Sequence, residues 1–217
     1  LAGLFFKSGP VVQVRDRDRD VGVLRDPDPD WVYEGPLVVL TSKLSASASE
    51  IFASALKDCN RALIVGDSRT FGKGTVLEVL KVEPYPAFFG KNIPAGSLTC
   101  ENAMFFRPSG ASVQQLGLAP DIRLPSFSEE MEIGELFMDN HLPWDSIRPV
   151  MRPGYGAVSP EKVGVLAKRS ADRIAADPEY RKMLDQIALV RAHRDRKELS
   201  LNEEVRYKEY LEEKNAV

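Results

Sequence analysis

Histidine is nearly absent. His141 and His193 are the only two in 217 residues, and neither has a Glu or Cys at ligand spacing. No metal site, no cofactor site and no Ser-His triad are therefore expected, and a hydrolase built on this chain must find its base elsewhere. Cysteine is equally scarce. Cys59 and Cys100 make no disulfide framework and fit no zinc motif, so they read as two ordinary thiols rather than a bridge. Positive charge is not in surplus: the formal net charge is −3, which leaves no electrostatic footprint for nucleic acid. No apolar run reaches roughly 18 residues, so no helical membrane span is expected. A signal peptide is missing too, but Leu1–Phe6 reads as the middle of something apolar, and we expect the chain to start inside a domain.

What is present is an ordinary globular composition, 43% hydrophobic and 28% charged, enough for one medium domain and a smaller piece. Residues 10–15 are β-branched and bounded by Gly9-Pro10, a strand pattern. The alternating Arg and Asp residues at 15–20 and the Asp-Pro steps at 26–30 predict an exposed loop or hairpin tip. Pro36–Thr41 is a continuous apolar run that fits a strand covered on both faces. Ala46–Cys59 carries Ile51, Phe52, Ala55 and Leu56 at helical spacing, and Ala62–Gly66 is a second buried strand. Residues 36–66 thus predict a strand-helix-strand unit with a parallel, right-handed crossover. Two further strands follow at 74–82 and 98–106, separated by a Pro/Gly-rich excursion from Pro84 to Gly96. A helix is predicted over Glu129–Asp139 with Ser128 as its cap. Prolines 143, 149 and 153 mark a linker, and the character changes near residue 150. Helices start at Ser159-Pro160 and restart at Asp177-Pro178, and a charge-dense, helix-like end follows. The fold class is α/β with a C-terminal α-helical region. The expected division is 1–127, 128–158 as connecting helix and linker, and 159–217 as helical region.

Leu44–Glu50 joins a buried strand to a helix. Backbone N–H groups at a helix start face developing negative charge, so a serine there could attack a carbonyl while the next N–H holds the oxyanion. Alone this is a weak signal, because serine-rich helix starts are in general caps. Phe71-Gly72-Lys73-Gly74 places a lysine between two glycines at the edge of an apolar sheet. Desolvation there would lower its pKa and fit it to act as a general base. The spacing from Gly66 misses the phosphate-loop pattern. Asp58 lies eleven residues after Ser47. That is roughly 20° past three helical turns and about 16 Å along the axis, so Asp58 either organises something at the far end or faces solvent.

These stretches together resemble the tail-specific, or carboxyl-terminal processing, serine proteases. The resemblance rests on Ser45–Ile51, Arg61–Gly66, Phe71–Val76, Phe105–Gly110 and the Gly-x-x-Pro-Asp run Gly117–Asp121. Asn140–Asp145 and the helices after it resemble the long Gram-negative subgroup. The resemblance implies a serine endopeptidase with Ser47 as nucleophile, Lys73 as base, Asp58 as a third member and the Ala48 N–H in the oxyanion hole. It implies protein or peptide substrates, a possible adaptor protein and a periplasmic or envelope location. The family's upstream glycine for the oxyanion hole and its PDZ domain have no counterpart here, so we expect a fragment that is inactive alone. Leu77 stands where the family often has a Gln thought to orient the lysine. Another group then positions Lys73, or packing does, or activity is reduced. The last case corresponds to a non-catalytic binding or scaffold member. A Ser-Lys amidase or esterase is the further alternative.

Overall fold

The computed structural model describes residues 1–82 and 96–216, so the excursion at 84–95 lies outside the described residues. The chain opens with a 3-10 turn at Ala2–Leu4 and an antiparallel hairpin, β1 (Gly9–Asp16) and β2 (Val21–Asp26). The charged repeat forms its tip. The Asp16 carboxylate accepts from the N–H groups of Asp18 and Asp20, at 2.9 and 3.0 Å, which is how a short acidic side chain closes a turn.

The predicted crossover is present. β3 (Val38–Thr41) and β4 (Leu63–Gly66) pair in parallel, joined by α1 (Ala48–Asp58), and β7 (Ile122–Arg123) adds to the other side of β4. β5 (Thr75–Lys81) and β6 (Ser97–Phe106) join the hairpin in a second, antiparallel sheet of order β2-β1-β6-β5. Helix α1 lies between the two sheets. Its Ala53, Ala55 and Leu56 pack with Phe6, Ile64 and Leu118 on one side. Ile51 meets Val12, Phe105 and Val113 on the other. The alanines let the helix approach closely, and Leu56 is fully buried, so its truncation to Ala would cost about 2–5 kcal/mol. Asp121 fixes the end of this unit: it accepts from the Ile64 N–H at 2.8 Å and pairs with Lys57 at 2.8 Å.

Two expectations give way. The apolar run at 36–41 is covered on one face only. β3 is an edge strand, with Val38 54% and Leu40 74% exposed. The helix predicted over 129–139 is instead two 3-10 turns, Phe127–Glu130 and Glu135–Phe137, and Ser126 rather than Ser128 caps the first. Gly134 between them has φ 140°, a left-handed conformation no helix can pass through. The carboxylates of Glu129 and Glu130 are also drawn to partners elsewhere in the chain.

The C-terminal part is helical: α2 (Pro160–Ala176), α3 (Pro178–Asp195) and α4 (Glu203–Ala216). Asp177 ends α2 and caps α3, accepting from the Glu179 N–H at 2.9 Å, and the prolines sit where a missing N–H is harmless. Helix α3 docks on the Phe127–Glu130 turn through Arg191 and Arg194, which reach Glu130 at 2.6 and 2.8 Å, and its Ile187 is buried. These guanidiniums hold the Glu130 carboxyl below the usual range for a glutamate.

Both cysteines are free thiols. Burial, helped by the charge of Asp58, pushes the Cys59 thiol up to about 11. Cys100 is half-buried on β6. A thiol titration at pH 8 under native conditions is therefore expected to modify Cys100 and leave Cys59 intact, both reacting after unfolding in guanidinium.

Candidate active site

Ser47 is the N-cap of α1 and has φ 56° and ψ −113°. A side-chain-bearing residue in so sparsely populated a region costs on the order of 1–3 kcal/mol, and such residues gather at functional sites. The conformation persists because its backbone is fixed on both sides. The Ser47 N–H donates to Glu50 Oε2 at 2.8 Å, and its carbonyl accepts from the Glu50 and Ile51 N–H groups. The next N–H, that of Ala48, makes no hydrogen bond among the described residues, and Ala48 is exposed. A free N–H at a helix start beside a serine is what an oxyanion needs.

Lys73 is half-buried on the segment leading into β5. Its flanking glycines answer to close packing against 112–117. A Cβ at Gly72, where φ is 90°, would stand 2.9 Å from the Gln115 carbonyl. One at Gly74 would stand 2.9 Å from the Gln114 nitrogen. The Lys73 amine makes no hydrogen bond or ion pair among the described residues. A second lysine in the serine loop, Lys43, is committed elsewhere. It is buried, and its amine donates to the carbonyls of Glu129 and Met131, both at 3.3 Å.

One buried side chain, missed in the sequence reading, joins the two loops. Glu50 accepts from Thr70 Oγ1, from the Gly72 N–H at 2.8 Å, from the Lys73 N–H at 3.0 Å and from the Ser47 N–H at 2.8 Å. The last two share Oε2, so the backbone nitrogens of Ser47 and Lys73 stand no more than about 6 Å apart. Phe71 adds an N–H bond to the Ser45 carbonyl at 2.9 Å. Burial pushes the Glu50 carboxyl up, while its hydrogen bonds pull the other way. The signal was available: Ser47-x-x-Glu50 is the spacing of a capping box. On the far side of Lys73, Gln114 Oε1 accepts from the Gly74 N–H at 2.8 Å. The backbone on both sides of the lysine is thus held by buried side chains, although Leu77 itself is exposed on β5.

Asp58 is not brought to this place. It ends α1 at the other pole from Ser47, about 16 Å along the axis. Its buried carboxylate pairs with Arg107 and accepts from the Ser109 N–H at 2.9 Å, and so holds the 107–110 turn.

Residues 1–124 match peptidase family S41, more than half the chain. The chain belongs to peptidase family S41. Residues 128–217 match the C-terminal domain of tail specific protease. The tail-specific protease of Haemophilus influenzae is 38% identical over 208 residues, 95% of this chain and 30% of that protein. The carboxy-terminal-processing protease of Bartonella bacilliformis is 38% identical over 119 residues, 54% of this chain and 25% of that protein. A solved photosystem II D1 C-terminal processing protease superposes with TM-score 0.48 at 31% identity, over 57% of this chain and 29% of that one. The chain spans less than a third of the length of the curated relatives it matches.

Replacing Glu50 by Ala strands three backbone N–H groups and a hydroxyl in the interior. The variant is expected to lose about 2–4 kcal/mol in chemical denaturation, and Glu50→Gln, which keeps a carbonyl acceptor, clearly less.

Proposed function

We propose that this chain carries the catalytic residues of a serine endopeptidase that cleaves protein substrates near their C-termini. Lys73 removes the Ser47 proton, and Ser47 Oγ attacks the peptide carbonyl. The Ala48 N–H donates to the oxyanion. Collapse of the tetrahedral intermediate expels the amine, which takes its proton from Lys73 and leaves an acyl-enzyme that water hydrolyses. The observation that supports this most is the shared Glu50 Oε2, which holds the Ser47 and Lys73 backbones side by side in a member of a peptidase family. Asp58 enters the reading as the residue that fixes the C-terminal end of α1, and so acts on Ser47 only through the helix. A periplasmic or envelope location and a possible adaptor protein rest on the family resemblance alone.

A non-catalytic binding or scaffold role is the second reading, and Leu77 is the residue that favours it. Cleavage of a tagged, unfolded protein by the full-length protein separates the two. Ser47→Ala and Lys73→Ala are each expected to lower kcat/KM by about a thousandfold or more. Undiminished cleavage in both variants would dispose of the dyad, and a parent protein that binds without cleaving would favour the scaffold. Faster turnover of esters than of peptides would point to an amidase or esterase.

A further inference from the structure

Two adjacent glutamates on the Phe127–Glu130 turn serve different parts of the chain. Glu130 is held by α3 through Arg191 and Arg194. Glu129 turns to the loops of the candidate active site. Its Oε1 accepts from the Ser68 N–H at 2.6 Å, and its Oε2 accepts from Ser68 Oγ at 2.8 Å. The same Oε2 pairs with Arg123 at 3.1 Å and lies 3.9 Å from the Lys43 amine. Lys43 and Glu129 have side chains only 5% and 12% exposed. The neighbouring Asp67 completes the set, accepting from the Lys43 N–H at 2.8 Å and from Ser128 Oγ at 2.5 Å.

The placement of these partners is what matters. Lys43 lies four residues before Ser47, and Ser68 lies five before Lys73 and two before Thr70, the Glu50 donor. Glu50 joins the two loops from one side, and Glu129 joins them from another. A charge-assisted pair of bonds to Ser68 fixes the loop more tightly than neutral contacts would. Displacements of about 1 Å at a reacting pair can cost on the order of a hundredfold in rate.

We propose that Glu129 is a positioning residue for the Ser47–Lys73 chemistry, setting the separation of the two loops through Ser68 and Lys43. This rests on the peptidase reading above. Glu129 touches no substrate and transfers no proton. It acts by where it holds the serine loop and the lysine loop, and α3 anchors its turn from behind.

The test uses the full-length protein with Glu129→Gln, Glu129→Ala and Ser68→Ala. Glu129→Gln keeps the shape and loses the charge, and is expected to lower kcat about tenfold with KM within about twofold and the melting temperature near that of the parent. Glu129→Ala is expected to lose more. Ser68→Ala, which removes one donor and keeps the N–H bond, is expected to lose about threefold in kcat and covers the case in which an Glu129 variant does not fold. Parental kcat in the Glu129→Gln and Ser68→Ala proteins, or a loss carried by KM alone, overturns the proposal. Hydrogen exchange supplies a readout that needs no catalysis. Amides in 42–47 and 67–73 are expected to exchange faster in Glu129→Gln while the central amides of α1 keep their protection. Unchanged exchange in both loops overturns the proposal. A parent without peptidase activity would remove the functional reading instead, and the exchange result would then decide the loop-setting role alone.

Discussion

A single carboxylate inside the molecule organises the candidate site. Glu50 sits in the first turn of α1 with no exposure, and its acceptors are filled by groups from both loops. A buried glutamate is costly unless its lone pairs are occupied, and here they are occupied by backbone N–H groups that would themselves be orphaned. The two needs are met together. The consequence is geometric: neither the serine loop nor the lysine loop can shift without breaking a bond to the other's anchor. The strained Ser47 backbone and the close packing at Gly72 and Gly74 are tolerable because this bond set over-determines them.

Much of this was legible from residue order. The apolar runs at 36–41 and 62–66 with the amphipathic stretch between them led directly to the parallel crossover, because short buried strands and a helical period leave few alternatives. Pro160 and Pro178, each just after a capping residue, fixed the starts of two helices. Other features were hidden because they depend on partners far along the chain. That β3 is an edge strand depends on whether another strand pairs along its free side, which none does among the described residues, and a run of valines and leucines does not say. The helix expected at 129–139 had good composition. It lost to one glycine in a left-handed conformation and to side chains drawn off by Ser68, Lys43 and α3. The alanines and glycines around them drew notice to the serine-rich helix start and to Lys73, but only the family resemblance singled out Ser47 among its neighbours. Pattern reading missed Glu50, Gln114 and Glu129, whose significance lies in what they accept from elsewhere. Of these only Glu50 had a local signature.

The two matched regions meet both through apolar packing, with Tyr155 against Phe6 and Trp31, and through a polar set around residues 128–131. Residues 128–131 lie against loops of the first region by way of Asp67, Ser68, Lys43 and Arg123. Helix α2 buries no residue fully, and α3 buries only Ile187. The docking of α3 itself therefore leans on correctly paired charges, whose strength varies with the surrounding medium.

The conformation of Ser47 carries an evolutionary implication. Glycine tolerates positive φ without the steric penalty that a Cβ incurs. Replacing this serine with glycine would relieve the local torsion, so a search that rewarded thermal robustness alone would tend to drift away from the hydroxyl. The residue proposed as nucleophile is held in place against the chain's own conformational preference. The proposed chemistry would account for a side chain held in a conformation that folding alone does not favour.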